Sequence, residues 1–282
     1  MVLQIILPIV GAGAFAVAEI FQKIVLREKG VKSRHFAVAS FLAAVLVMLP
    51  FLYFFGRVDS EAFLLKNLLI LFGVVVFAIF ANLLVFYALK WEKVTALEPV
   101  RLLEPLFVVV LAFAFLKSER DPKVLIPALV AGATLVLTHV KKHHISFNKY
   151  MVAGIFGSLF FATELLMTKF LLPYYSPISI YFARGLLVFV ILGLFFRPNL
   201  RKELGVAERW MILGTGALWV GLRIIVYYGY VNWGVVFTTL MLMLAHVFVY
   251  FLAHFALKEK MNYRNLVATA VIIACVVYVN FV

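Results

Sequence analysis

Charged residues and cysteine are scarce in this sequence, and each shortage excludes some classes of protein. Only 14% of the 282 residues are charged, compared with about 25% in a typical soluble domain. Cys275 is the single cysteine, which excludes an intramolecular disulfide. Asp59 and Asp121 are the only aspartates, and both fall in polar segments between apolar runs. The sequence therefore offers no aspartate pair for catalysis inside a membrane.

Three short motifs that carry catalysis or nucleotide binding are also missing. The sequence contains no HExxH zinc motif, no GxSxG nucleophile motif and no GxxxxGK[ST] phosphate-binding loop. We therefore expect no enzyme activity, no cofactor and no direct use of ATP. The histidines of THVKKHHIS, His139, His143 and His144, stand beside lysines without a cysteine or carboxylate set, so we expect no metal site.

Apolar residues dominate instead, and they occur in long runs. They make up 66% of the chain, and the mean hydropathy is +1.09. A helix of about 20 apolar residues crosses the hydrocarbon core of a bilayer. The first run lacks a preceding basic segment and exceeds signal-peptide length, so we expect a retained helix. We predict an all-α membrane protein of ten transmembrane helices in the cytoplasmic membrane, over Leu3–Leu26, Phe36–Phe55, Leu64–Leu89, Ala96–Leu116, Val124–Val140, Tyr150–Leu172, Ile178–Phe196, Trp210–Val231, Val236–Leu257 and Tyr263–Phe281.

The two halves of the chain resemble each other. GAGAFAVAEIFQK in the first predicted helix matches GSLFFATELLMTK in the sixth, which brings Glu19 and Glu164 to within one position of each other. The segment around Glu119, after the fourth helix, matches the segment around Glu259, after the ninth. Each half holds five predicted helices, and an odd number makes the second half enter the membrane from the opposite side. We therefore predict two inverted five-helix repeats, over residues 1–141 and 149–282.

Three segments carry a resemblance to a known family. SPISIYFAR opens the seventh predicted helix and ends in Arg184, LEPLFVVVLAFAFLKSE has a Glu-Pro mid-helix and a Glu past the helix end, and HVFVYFLAHFALKEK repeats its last part. With the five-plus-five arrangement, the sequence resembles the drug/metabolite transporter superfamily, EamA type, over essentially its whole length. The resemblance implies a secondary transporter that works by alternating access, with its substrate between the repeats near the middle of the bilayer.

Basic residues outnumber acidic ones, and the formal net charge is +13. They lie in short loops, which indicates a topology signal rather than a nucleic-acid partner. The odd-numbered loops and adjoining helix ends hold sixteen Lys and Arg residues, from Arg27 to Arg264, and the even-numbered ones hold six, from Arg57 to Lys169. This bias predicts both termini outside, whereas the resemblance implies both termini in the cytoplasm. We expect a monomer or homodimer in the lipid bilayer with a small-molecule substrate.

Ionisable residues inside the predicted helices are the main functional signal. In ALEPVRLLEPLF, Glu98, Arg101 and Glu104 fall within an arc of about 120° on one helix face. A charge at the bilayer centre costs roughly 2.5–3.5 kcal/mol, so such side chains should face the bundle interior. Depth along the helices predicts one Glu/Arg layer on each side of a central Glu/His layer. The layer towards the odd-numbered loops holds Glu19, Glu98 and Arg101, the layer towards the even-numbered loops holds Glu164, Arg184 and Arg223, and the central layer holds Glu104 and His246. The candidates for the substrate path are Glu19, Asn82, Glu98, Arg101, Glu104, Glu164, Arg184, Arg223, Tyr228 and His246.

Two interpretations of these residues stay open. The charged groups either pair helices together, which explains Glu98 beside Arg101, or line a polar path for the substrate. Tyr228 lies in an aromatic cluster that fits an interfacial belt or a cage for an organic cation. Asn82 either lines the path or bonds a neighbouring helix.

The sequence favours a secondary transporter of a small polar metabolite, such as an amino acid or another zwitterion. The carboxylate of a zwitterion would meet an arginine and its amine a glutamate. Burial can shift the pKa of a side chain into the working pH range, so Glu104, Glu19 and His246 are candidates for proton coupling. Uniport and exchange are equally open. The alternative is a flippase or transporter of a lipid-linked or organic-cation substrate, with anionic head groups held by the basic loops.

Overall fold

The computed structural model describes residues 2–28, 30–101, 103–139, 148–257 and 263–281. Across these ranges the chain is helical without a β-strand, and Val58 and Tyr175 form an isolated antiparallel bridge. The all-α class is thereby confirmed for these ranges. The helices of the first half are α1 (Val2–Arg27), α2 (Ser33–Phe55), α3 (Leu65–Trp91), α4 (Val94–Arg101), α5 (Leu103–Phe115) and α6 (Pro122–His139). Those of the second half are α7 (Lys149–Leu171), α8 (Pro177–Phe196), α9 (Leu200–Glu203), α10 (Val206–Asn232), α11 (Val235–Leu242), α12 (Leu244–Leu257) and α13 (Tyr263–Phe281).

Six helical segments of the described ranges are long and apolar enough to cross a membrane. They are Ile6–Arg27, Ser33–Phe55, Leu65–Trp91, Lys149–Leu171, Pro177–Phe196 and Val206–Asn232. Shorter apolar helical segments coincide with the other four predicted spans, at Leu103–Phe115, Pro122–Thr134, Val235–Phe248 and Thr269–Phe281. The total of ten transmembrane helices therefore stays a prediction.

The predicted helices differ from the structure in several details, beyond shifts of a few residues at helix ends such as the start of α10 at Val206 rather than Trp210. The predicted fourth span begins at Val94 rather than Ala96 and comprises α4 and α5. The ninth is divided at Met243, whose N–H lies 3.1 Å from the carbonyl oxygens of both Thr239 and Leu240; this bifurcated bond tightens the helical turn. The predicted loop after α8 contains the short helix α9.

Local polar residues explain where two helices of the second half begin. The Asn148 Oδ1 atom accepts from the backbone N–H groups of Tyr150 and Met151, at 3.0 and 2.9 Å, and caps α7. Ser176 caps α8, and Pro177 occupies its first turn, where a missing N–H costs nothing. These caps set the ends of the two helices that carry Glu164 and Arg184.

The two halves interleave, because the most extensive helix contacts join a helix of one half to a helix of the other. The helix α1 packs on α10, and the corresponding helix α7 packs on α3. In the same way α1 contacts α12 and α7 contacts α5, while α2 packs on α8 and α6 on α13. The contacts thus occur in matched pairs, and the core lies between the halves.

Two glycines allow helices from different halves to touch. A Cβ atom at Gly157 on α7 would lie 2.7 Å from Val85 Cγ2 on α3. A Cβ atom at Gly216 on α10 would lie 2.9 Å from the Cβ and 3.0 Å from the carbonyl carbon of Ala43 on α2. Any larger residue would separate these helices, which is why small residues mark close contacts inside membranes.

Candidate functional site

A buried ion pair lies in the interior between α7 and α8. Arg184 Nε lies 2.8 Å from Glu164 Oε1, and Arg184 Nη2 donates to Glu164 Oε2 at 3.2 Å. The two side chains are 2% and 0% exposed. The Tyr227 hydroxyl donates to Glu164 Oε1 at 3.5 Å, and the Thr168 hydroxyl lies 3.4 Å from the same oxygen. Donors thus surround the carboxylate, which offsets part of the cost of burying it.

A second buried ion pair joins α1 to α4. Arg101 Nη1 contacts Glu19 Oε1. The Arg101 guanidinium also lies over the Phe15 ring, 5.1 Å from its centroid. The sequence places Glu19 and Arg101 towards the same end of the bundle, and the structure brings them together.

Arg223 on α10 is also buried, at 4% exposure, but its surroundings differ. Its guanidinium carbon lies 5.6 Å from the centroid of the Phe161 ring and 5.7 Å from that of Trp219. No carboxylate oxygen of the described residues lies within 4.0 Å of its nitrogens. Arg223 is therefore a buried cation that aromatic faces accommodate.

Two cavities meet at this arginine. Trp219 and Arg223 line both of them. Along α10, the first cavity reaches back to Thr215 and the second forward to Tyr230. The two cavities thus border different stretches of α10 on either side of Arg223.

The two cavities are lined by different polar residues. Gln22, Asn82 and Arg184 border the first cavity, and Asn82 also donates to the Ala78 carbonyl oxygen of its own helix at 2.8 Å. Glu104 and His246 border the second cavity, which places both members of the predicted central layer in one space.

Glu104 is half-buried on α5. Arg223 and Arg101 are both close enough to it for a charge–charge interaction. The His246 ring packs edge-on against Phe15, with 5.6 Å between the ring centroids. Phe15 also contacts Trp219 at 5.5 Å, so one aromatic side chain connects the His246 wall of the cavity to α10.

Other predicted site residues lie apart from the cavities. Glu19, Arg101 and Glu164 belong to the ion pairs and line neither cavity. Tyr228 is 38% exposed and packs on Trp233, with ring centroids 5.5 Å apart. The side chains of Glu98, His139, His143 and His144 lie outside the described part of the protein. Among the described residues, no three His, Cys, Asp or Glu side chains form a group that could hold a metal ion.

Comparison with known families decides the class of this protein. A family model described as "EamA-like transporter family" matches residues 2–139 and, again, residues 148–281. The chain belongs to the EamA-like transporter family. It is therefore a multi-pass membrane transporter of the drug/metabolite type, built from two EamA repeats, as the resemblance implied.

Solved structures include 28 chains that match this EamA protein. One of them, described only as "Crystal structure of protein", has a TM-score of 0.69 and 17% identity over 97% of this chain and 98% of its own. At that identity the likeness shows the fold alone. A search of curated proteins finds no match.

Three residues of this EamA site were not among the predicted site residues, although Tyr227 and Tyr230 belong to the same aromatic cluster as Tyr228. Trp219 borders both cavities, Tyr227 donates to Glu164, and Tyr230 borders the second cavity. Their spacing from Arg223, at four residues before and four and seven after, places all of them on one face of α10. That helical spacing from Arg223 was the signal in the sequence that could have identified them.

Proposed function

We propose that this EamA-family protein is a secondary transporter that moves a small polar metabolite, amino-acid-like or another zwitterion, across the cytoplasmic membrane by alternating access. The observation that carries the proposal is the pair of cavities that share Trp219 and Arg223. Along α10, the first cavity borders Thr215, before Arg223, and the second borders Tyr230, after it, so a substrate at Arg223 would adjoin both spaces. Alternating access requires such a site, which can open to either side.

The proposal includes ten membrane helices in two inverted repeats, over residues 1–141 and 149–282. The matched contacts of α1 with α10 and of α7 with α3 are those expected from a two-fold axis between the repeats. Alternating access then consists of one set of matched contacts opening while the other closes. From the distribution of Lys and Arg, we place the odd-numbered loops in the cytoplasm and both termini outside.

The cavity linings favour a substrate with charges of both signs. Arg223 and Glu104 line the second cavity together. The organic-cation alternative needs open aromatic faces, but Tyr228 and Trp233 pack on each other. Inside the bundle, the faces of Phe161 and Trp219 are occupied by Arg223.

Counterflow in proteoliposomes tests the proposal. Vesicles that contain the purified protein are loaded with unlabelled amino acids, and we expect transient accumulation of the labelled amino acid that the protein carries. An imposed pH gradient then tests proton coupling, because coupled transport would concentrate the label beyond the loaded level. Uptake restricted to choline-like cations, or flipping of a lipid-linked sugar without amino-acid counterflow, would show that the alternative substrate class is correct.

A further inference from the structure

Some charged side chains inside the bundle form ion pairs with each other, and others do not. Arg184 is paired with Glu164, and Arg101 with Glu19. Neither Arg223 nor Glu104 has an ion-pair partner within 4.0 Å among the described residues. Arg223 is buried and Glu104 is half-buried. A charge withdrawn from water without a close partner is costly, so these two residues point to a ligand that supplies the missing groups.

The two remaining charges lie in the same space. Arg223 and Glu104 both border the second cavity. They interact through charge, yet they are too far apart to form an ion pair with each other. This arrangement leaves a cation on α10 and an anion on α5 facing a common cavity.

The remainder of the cavity wall is largely apolar. Val108, Leu165, Leu222, Val226 and Leu242 all contribute to it. An apolar wall favours an apolar group on the ligand, since each buried CH₂ contributes roughly 0.8 kcal/mol.

We propose that the second cavity binds an α-amino acid with an apolar side chain, with its carboxylate on Arg223 and its ammonium group at Glu104. This assignment rests on the proposed function and specifies the substrate class of that site. Arg223 is well suited to the carboxylate, because a guanidinium binds a carboxylate through two parallel hydrogen bonds. Since Arg223 also borders the first cavity, the bound carboxylate remains within reach of both cavities.

The same reasoning assigns Arg184 and Arg101 a different role. A ligand carboxylate would have to displace Glu164 from two contacts to reach Arg184. Arg101 contacts Glu19 and borders neither cavity. These arginines stabilise the bundle, and Arg223 binds the ligand.

Binding measurements on purified protein test the assignment with matched ligands and variants. The probes are leucine, isoleucine, valine and methionine, each with its amide, which lacks the anion, and its N-acetyl derivative, which lacks the ammonium group. We expect Arg223→Gln to weaken amino-acid binding roughly 10- to 100-fold, as expected for a lost hydrogen bond to a charged group. The same variant should leave the weak binding of the amides unchanged. Glu104→Gln should weaken the binding of the amino acids and leave the binding of the N-acetyl derivatives unchanged. Arg57→Gln, at an exposed arginine that lines neither cavity, is the control and should bind as the wild type does.

Melting curves without ligand separate ligand binding from structural support. If Arg223 binds ligand only, Arg223→Gln melts at or above the wild-type temperature, because no protein carboxylate loses a close partner. A misfolded Arg223→Gln protein, or one that melts far below the wild type, overturns the assignment. So does wild-type amino-acid affinity in Arg223→Gln. If none of the four apolar amino acids binds, and counterflow shows transport of polar amino acids, this inference fails and the proposed function stands. The absence of any amino-acid counterflow would instead overturn the proposed function.

Discussion

Lys23 and Lys169 bind the ends of two helices in the same way, although they lie in different repeats. Lys23 on α1 donates to the Leu89 carbonyl oxygen at 2.6 Å and to that of Glu92, at the C-terminal end of α3. Lys169 on α7 donates to the Tyr230 carbonyl oxygen, near the C-terminal end of α10. In each repeat the first helix therefore holds the third, through an ammonium group at carbonyls that lack helical partners.

These lysines should contribute measurably to stability. Methionine retains an unbranched apolar stem and removes the charge, so Lys169→Met and Lys23→Met should each lower the free energy of unfolding by about 1–2 kcal/mol. The control is Lys66→Met, since Lys66 is exposed at the start of α3, and it should leave the melting temperature unchanged. Melting curves in detergent measure all three variants. Equal melting of Lys169→Met and Lys66→Met would contradict the capping role.

A carboxylate from the first repeat caps a helix of the second. Glu119 accepts from the backbone N–H groups of Val235 and Val236 at 2.8 and 3.0 Å, at the start of α11. The preceding Gly234 has φ of 91°, and a Cβ atom there would lie 3.0 Å from Glu119 Oε2. Gly234→Ala should therefore cost about 1–2 kcal/mol, from backbone strain and displacement of the cap. Gly221→Ala, at a position with no atom near the added Cβ, should be neutral or slightly stabilising. Similar melting temperatures for both variants would disprove the strain.

The Glu164–Arg184 pair should be the most sensitive of the buried contacts. Arg184→Gln leaves the Glu164 carboxylate buried without its cation, and removing one partner of such a pair costs about 3–5 kcal/mol. The double variant Glu164→Gln/Arg184→Gln removes both charges, so its loss should be smaller than the sum of the two single losses. A double-mutant cycle from melting curves measures this coupling. Additive losses would indicate that each residue acts through other contacts.

This pair also shows how far the sequence could predict the site. Apolar runs and charge clusters locate the helices, because crossing a bilayer imposes a minimum length on each. Depth along the helices places Glu164, Arg184 and Arg223 towards one end of the bundle. Depth carries no information on which helices are neighbours, and only the fold shows that Glu164 meets Arg184 while Arg223 lies between aromatic rings.

The aromatic cluster at the end of α10 illustrates the same limit. The sequence suggested Tyr228 as the site residue, whereas Tyr227 and Tyr230 are the buried members of the cluster. Residues at i, i+1 and i+3 point in different directions on a helix, but which face is inward depends on the packing of α10 against α1 and α2. An amphipathic pattern would have revealed that face in a soluble protein, and lipid removes the contrast because both faces are apolar.

The orientation in the membrane can be tested by cysteine labelling in a Cys275→Ala background. Gly30 lies between α1 and α2, Ser118 lies between α5 and α6, and both are exposed. The excess of Lys and Arg in odd-numbered loops predicts that Gly30 is cytoplasmic and Ser118 is outside. An impermeant maleimide should therefore label Ser118→Cys in intact cells, and Gly30→Cys only after permeabilisation. The reverse pattern would place both termini in the cytoplasm.

Glu104 provides the sharpest comparison between transport and structural pairing. It borders the second cavity and forms no ion pair within 4.0 Å among the described residues, whereas Arg101 on the preceding helix contacts Glu19. Glu104→Gln is nearly isosteric and removes a costly charge, so the protein should melt at or above the wild-type temperature. It should nevertheless lose transport, or the dependence of transport on pH. Arg101→Ala leaves Glu19 without its cation and should cost about 3–5 kcal/mol of stability.

Proteoliposome transport measured beside melting curves distinguishes these two roles. A residue that only pairs helices changes transport in proportion to the amount of folded protein. For Arg101→Ala we therefore expect the wild-type transport rate once the rate is divided by the amount of folded protein. A residue of the substrate path changes the rate at constant stability, as we expect for Glu104→Gln. Wild-type rate and pH profile in Glu104→Gln would remove Glu104 from the path. The second cavity would then have Arg223 as its one described charge, and its ligand would be an anion rather than a zwitterion.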